Sequence, residues 1–203
     1  MTGLHSVSWL RELERLLRRY GVLCLTRRAV AKAWRHLFRN RNRVFVYEPS
    51  GYLPAAREDV TIWRMEAMAA IPEVILRQLS EQLGDRYLRA AGCEFRMRGI
   101  LYVALAGEVV AAVQWSRIAS DIDTWFTSLE REDVVIFGGT TLPAFRGRGI
   151  IPWMIQHQAN LDGKPGRRVL ADCKVWNTPA RKAIEKAGFH FMGTYPSLRV
   201  HHP

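Results

Sequence analysis

Apolar positions recur at helical spacing twice before residue 40. In "SWLRELERLLRRYG" the residues Trp9, Leu10, Leu13, Leu16, Leu17 and Tyr20 share a face, with Gly21 as a stop. "TRRAVAKAWRHLFRNRN" places Ala29, Val30, Ala33, Trp34, Leu37 and Phe38 on a stripe opposite its arginines, after Thr26 as N-cap. "RVFVYE" (43–48) then reads as a short strand, and the turn-rich "EPSGYLPAARED" separates it from a strand in "DVTIWRMEAM". "IPEVILRQLSEQLG" predicts a helix with Pro72 near its first turn and Gly84 at its end, and a further short helix is expected around "DRYLRAAG". "FRMRGILYVALAGEVVAAVQWSR" is a hairpin of two strands turning at Ala106, Gly107 and Glu108. "REDVVIFGGTTLP" is β-branched and apolar, a buried strand that stops at Pro143; a helix follows from about Ile151 to Leu161, then a strand in "GRRVLADCKVW". "NTPARKAIEKAGF" has Asn177 or Thr178 as cap, Pro179 in its first turn and Gly188 as its stop, and "FHFMGTYPSLRV" closes the chain as a strand. From "DVTIWRMEAM" onward the order is β, α, α, β, β, β, α, β, α, β. The fold class is therefore α/β in the mixed α+β sense, a mixed sheet with helices packed on it.

Length and charge sharpen this picture. At 203 residues and 48% hydrophobic the chain can bury a real core, and suggests one domain with an appendage rather than two full domains. The net charge of +11 is unevenly spread. Residues 1–43 hold eleven Arg and Lys against Glu12 and Glu14, so the remainder is close to neutral. We therefore divide the chain into a basic helical extension, residues 1–43, and a domain over residues 44–203. A basic amphipathic arm implies an anionic partner: a carrier protein, a membrane face or nucleic acid. For nucleic acid no groove-reading motif is present. Cys24, Cys93 and Cys173 are widely spaced and odd in number, which suggests neither a disulfide framework nor a metal site and fits a reducing cytoplasm. The first thirty residues are interrupted by arginine too often for a signal peptide, and no apolar run reaches the roughly 18 residues a spanning helix needs. A soluble or peripheral protein is expected.

The stretch "AFRGRGIIPWM" (144–154) carries the candidate chemistry. A strand that ends in a glycine-rich turn feeding a helix presents free N–H groups and the positive end of the helix dipole to an anion, and glycine lets a phosphate approach the backbone. Arg146 and Arg148 add cationic side chains. The pattern is neither the P-loop nor the dinucleotide-binding glycine motif. An ordinary basic turn is the alternative.

"LPAFRGRGIIPWMI", followed some thirty residues later by "NTPARKAIEKAGF", resembles the pyrophosphate loop and the later helix signature of the GNAT superfamily of acyl-CoA N-acyltransferases. The likeness runs over roughly residues 59–200, with both motifs in the family's order. It implies a central mixed, splayed sheet flanked by helices, and a Q/R-x-x-G-x-G/A loop formed here by Arg146, Gly147, Arg148, Gly149, Ile150 and Ile151, whose amides would hold the pyrophosphate of coenzyme A. The pantetheine arm would enter between the strands "DVVIFGGTT" and "RVLADCKVW", a backbone N–H near Leu142 would polarise the thioester carbonyl, and Asn177 would lie beside the pantetheine. Two positions depart from the pattern. Ile151 stands where the loop has Gly or Ala, and Ile184 stands where many relatives carry a tyrosine acting as general acid.

The resemblance implies an enzyme moving an acyl group from acetyl-CoA or a longer acyl-CoA, or from an acyl-phosphopantetheine carrier, onto a small-molecule or peptide amine. Glu132 and Asp133, at the start of the first of those two strands, match the place where relatives carry a carboxylate that accepts the amine proton through water; Asp133 is preferred, solvated strand-entry residues being the alternative. Cys173 reads as a small buried hydrophobe rather than a nucleophile, because no histidine lies near it in sequence. His157 and His190 read as structural. Tyr102 and Tyr195 are candidates for the missing acid, and Trp176 for a wall of the acyl channel. The arm would dock an acidic acyl carrier protein or an anionic membrane surface. The alternative is a catalytically degenerate GNAT module whose arm binds an anionic partner.

Overall fold

The computed structural model describes residues 41–197; both expected N-terminal helices, with most of the basic arm, and residues 198–203 lie outside the described residues. Seven strands form one sheet: β1 (Arg41–Tyr47), β2 (Thr61–Met65), β3 (Ile100–Ala106), β4 (Val109–Ile118), β5 (Val134–Thr141), β6 (Val169–Lys174) and β7 (His190–Pro196), in the spatial order β2-β3-β4-β5-β6-β1-β7. Four helices flank it: α1 (Glu73–Leu83), α2 (Asp85–Arg96), α3 (Ile150–Asp162) and α4 (Thr178–Lys186). The ladders β2–β3, β3–β4, β4–β5 and β1–β6 are antiparallel, whereas β5 and β6, joined through α3, run parallel.

Strand alternation splits the core into opposed layers. Leu101, Val103, Val113 and Trp115 meet Ile75 and Leu79 of α1 and Ala91 of α2, while Tyr102, Ala104 and Ala112 meet Ile150 and Met154 of α3. Phe45, Ile136, Val169 and Ala171 pack with Ile155 and Ala159 of α3 and with Ile184 of α4, and Val44, Val135 and Leu170 cover the reverse face of the same strands. A polar staple fixes the far end of α3. The Asp162 carboxylate accepts hydrogen bonds from the Tyr102 hydroxyl and from Ser116 Oγ, both at 2.6 Å, and from Arg64 Nε at 3.3 Å.

Two elements differ from the expectation. The short helix expected around "DRYLRAAG" is longer: α2 passes through Gly92 and runs on to Arg96, whose charge suits a C-terminal turn. The first strand begins at Arg41 and lies between β6 and β7, so residues 41–43 belong to the sheet and not to the extension. No helix among the described residues is long and apolar enough to cross a membrane.

Candidate functional site

β5 and β6 pair only through Val134, Val135 and Ile136 against Val169, Leu170 and Ala171, and past Ile136 the two strands part. A cleft of about 840 Å³ opens there, walled by Phe137 to Thr141 of β5, by Ala171 and Asp172 of β6, and by the facing ends of α3 and α4. On its other edge β5 is irregular: Val113 faces Thr140 and Trp115 faces Phe137, so Gly138 and Gly139 together oppose the single residue Gln114. This is a β-bulge, which takes backbone out of the ladder and turns it aside. Gly138 has φ +65°, and a Cβ there would stand 3.1 Å from Trp115 Cδ1, so only glycine fits the kink. Gln114 is buried against the bulge, and its Oε1 has no hydrogen-bond partner among the described residues.

Beyond β5 the Leu142 amide donates to the Ala111 carbonyl at 2.9 Å. The expected role of this N–H on a thioester is therefore corrected: it is spent on the sheet, and the bulge at Gly138 and Gly139 is the part of β5 that interrupts the ladder and lines the cleft. After a single 3₁₀ turn (Pro143–Phe145), Gly147 and Gly149 take positive φ, +80° and +71°, and Gly149 is the left-handed N-cap of α3. Neither glycine side accepts the helix amides. The N–H groups of Gly147, Arg148, Gly149, Ile150 and Ile151 are left without an acceptor among the described residues, and Pro152 has none to offer. The helix dipole adds its positive end at the same point.

The loop is held from outside. Arg57 pairs with Asp59 at 2.7 Å, donates Nη1 to the Arg148 carbonyl at 3.0 Å, and lies over the Trp153 ring. Arg148 lies over Phe145, and Arg146 Nε reaches the Thr141 carbonyl at 3.4 Å. Lys182 and Lys186, one turn apart on α4, line the opposite wall, so the cleft mouth is cationic. Ile151 does not fill the loop: it packs half-buried beside Ile155 and Met154. Asn177 also lines the cleft, and its Oδ1 caps α4 by accepting from the Ala180 amide at 3.2 Å. Residues Arg146, Gly147, Gly149, Ile150, Ile151 and Asn177 are thus brought together around one cavity.

Glu132 and Asp133 are not part of it. They precede β5 at the end remote from the loop. Asp133 is fully buried, accepts from the Glu130 amide at 2.8 Å and is engaged by the Arg168 guanidinium; Glu132 is half-buried and paired with Lys164 and Arg167, which hold its carboxyl below the usual range. Both brace the entry to β5, so their expected proton-accepting role is withdrawn. The carboxylate that does line the cleft is Asp172, raised above its usual range by burial, with the Asn42 amide and Lys174 opposing that shift. The sequence carried a faint sign of it, a lone acid inside the apolar strand "VLADC". Ile184, in the tyrosine position, is a buried cleft wall. Tyr102 is bound to Asp162 and its hydroxyl is driven far above its usual range by burial, which removes it as an acid for the cleft. Cys173 packs beneath α4, and burial pushes its thiol up to about 11.

No family model matches the chain, and no curated protein matches it. Solved structures do. An acetyltransferase of the GNAT family from Colwellia psychrerythraea superposes with a TM-score of 0.52 at 16% identity, over 75% of this chain and 53% of that one. A GCN5-related N-acetyltransferase from Sphaerobacter thermophilus gives 0.54 at 16% identity, over 82% and 54%, and a GNAT-family acetyltransferase structure from Novosphingobium aromaticivorans gives 0.52 at 16%, over 76% and 61%. The chain has the GNAT fold. It spans little more than half the length of those three structures. Within the GNAT fold the parted parallel strands, the bulged β5 and the glycine-capped helix all open into one cavity, which is why that cavity is the candidate site.

Proposed function

We propose that the chain is an N-acyltransferase that takes its acyl group from coenzyme A and passes it to an amine. The observation that carries this reading is the run of free amides from Gly147 to Ile151 at the mouth of a cleft between diverging strands. Amides, a helix dipole and the nearby Arg146, Lys182 and Lys186 suit a diphosphate. The gap between β5 and β6 suits an extended pantetheine arm, which bonds to strand edges as a further strand does. Backbone at the Gly138–Gly139 bulge suits the carbonyl oxygen, and removal of one such donor typically costs about 10²- to 10³-fold in rate. Asn177 flanks the arm with the Nδ2 that its cap leaves over.

Coenzyme A supplies an activated thioester when bound; the protein's own part is to hold that thioester in line and dry. Isothermal titration with acetyl-CoA and with longer acyl-CoAs tests the reading, followed by detection of released thiol in the presence of amines. Absence of any acyl-CoA binding refutes it. Binding without transfer to any amine identifies a degenerate donor-binding module, for which the apolar Ile184 in the acid position speaks. The basic extension, residues 1–43, docks an acidic carrier protein or an anionic membrane surface on this reading; deletion of residues 1–40 then abolishes binding to phosphatidylserine vesicles and acyl carrier protein while leaving acetyl-CoA affinity intact.

A further inference from the structure

We propose that Asp172 accepts the proton of the attacking amine, an inference that rests on the acyl-transfer reading of the cleft. Asp172 is the first residue of β6 past the last pair of the β5–β6 ladder, Ile136 with Ala171. Its carboxyl therefore stands at the fork where the strands separate, among the residues that line the cleft.

Strand alternation sets the face it serves. Val169, Ala171 and Cys173 pack toward α3 and α4, whereas Leu170 packs with Val44 and Val135 on the reverse face, and Asp172 follows Leu170. The diphosphate site is the N-terminus of α3. Asp172 thus looks through the fork from the side opposite the donor's helix, which is the side left for an acceptor.

The carboxyl is oriented by a short relay. Asn42 of β1 donates Nδ2 to Asp172 Oδ2, Ser197 Oγ donates to Asn42 Oδ1 at 2.7 Å, and Lys174 Nζ donates to Ser197 Oγ at 2.6 Å. With its amide oxygen taken by Ser197, Asn42 can offer Asp172 only a donor. The other carboxylate oxygen, Oδ1, receives no hydrogen bond from a described residue. The charged and titratable groups around it are Lys174 and Cys173 on its own strand and Arg43 on β1, with Arg181 and Glu185 of α4 beyond Cys173 and the Tyr195 phenol packed on Leu170's face. Burial lifts the carboxyl above its ordinary range, so it is a stronger base than a solvated aspartate.

The chemistry balances. The acceptor arrives as an ammonium and passes one proton to Asp172, which frees the nitrogen lone pair. That pair forms the C–N bond to the thioester carbonyl carbon, and the C–S bond breaks with its electrons on sulfur. The second nitrogen proton ends on sulfur as the thiol, and Asp172 returns its proton to water.

The test combines titration with kinetics on the full chain. Carbon-13 NMR of labelled aspartate follows the Asp172 carboxyl without ligand, and acetyl transfer is measured to 2-phenylethylamine and to hydroxylamine, which is largely unprotonated at neutral pH. Asp172→Asn is expected to keep wild-type acetyl-CoA affinity and melting temperature, to lose about 10²-fold or more in transfer to 2-phenylethylamine, and to lose much less with hydroxylamine. Asp172→Glu restores part of the loss. Asn42→Ala removes a donor that favours the charged form, so the carboxyl titration and the acidic limb of kcat/KM both move to higher pH. Should Asp172→Asn misfold, the Asn42→Ala pair of measurements decides alone. The proposal is overturned if Asp172→Asn transfers to both nucleophiles like wild type, if Asn42→Ala moves the titration but not the limb, or if the wild type acetylates neither nucleophile. Loss of acetyl-CoA binding by the wild type would overturn the acyl-transfer reading itself, which separates the two failures.

Discussion

Replacing Gly149 by alanine separates backbone strain from anion binding. Gly149 holds φ +71°, a conformation that costs a residue with a Cβ roughly 1–2 kcal/mol. Sterics add little: the new Cβ would meet only Lys186 Nζ at 3.8 Å and Arg57 Nη1 at 4.0 Å, both ends of flexible side chains at ordinary contact distance. A loss near 1 kcal/mol lowers the melting temperature of a chain of this size by about 2–4 °C. Donor affinity should fall further than strain explains. The methyl group occupies the space through which a phosphate oxygen approaches the amides of residues 147–151, and displacing one charge-assisted hydrogen bond is worth about 1.5–3 kcal/mol, equal to about 10- to 150-fold in Kd. Gly84 supplies the control, with φ +81° and no atom within 4 Å of its would-be Cβ, at the junction of α1 and α2. Its ψ of 163° puts Gly84 in a region that only glycine occupies readily, so Gly84→Ala should lose at least as much thermally, with unchanged acetyl-CoA binding by isothermal titration. Equal affinity in wild type and Gly149→Ala, or an equal drop in both variants, would refute the assignment of the loop.

Other consequences are as direct. Asp133→Ala removes the partner of Arg168 and reopens the Glu130 amide; it should cost about 2–3 kcal/mol in denaturant unfolding, less than a wholly buried pair because Arg168 retains 30% exposure, with transfer activity per folded molecule unchanged. Gly138→Ala combines positive φ with a Cβ 3.1 Å from Trp115, so it should destabilise by about 2–3 kcal/mol and lower kcat more than donor affinity, read by steady-state kinetics beside titration. At pH 8 iodoacetamide should label Cys93 and spare Cys173, because a thiol pushed up to about 11 carries almost no thiolate there; sensitivity should emerge only as pH rises toward that value, as mass spectrometry of the labelled peptides will show.

Periodicity and punctuation made most of the fold legible. Pro72 and Gly84 bracket α1, Asn177 caps α4, and the ten elements from β2 to β7 follow the expected order, since each depends on residues close in sequence. The full length of α2 was not legible, because tertiary packing carries an amphipathic helix past one unfavourable residue, Gly92. The place of β1 was invisible: "RVFVYE" announces a strand, but its insertion between β6 and β7 is a fact about partners more than a hundred residues away. The loop was legible because backbone geometry at Gly147 and Gly149 is written in the glycines themselves. Leu142, Glu132 and Asp133 were not, since a hydrogen-bond ledger decides whether an amide or a carboxylate is free. Asp172 escaped for the same reason, its surroundings being assembled from Asn42, Lys174 and Ser197 on three separate segments.

The place of β1 between β6 and β7 also dictates when the molecule can finish folding. A strand from the start of the described chain must wait beside nothing until β6 has left the ribosome, and the Asn42–Asp172 link spans 130 positions. Loop-closure entropy over such a span makes this a late step, so a nascent chain harbours an unsealed sheet edge for most of its synthesis. A shortened version beginning at the 59–200 segment would keep that gap for good, with β6 and β7 separated by a missing plank.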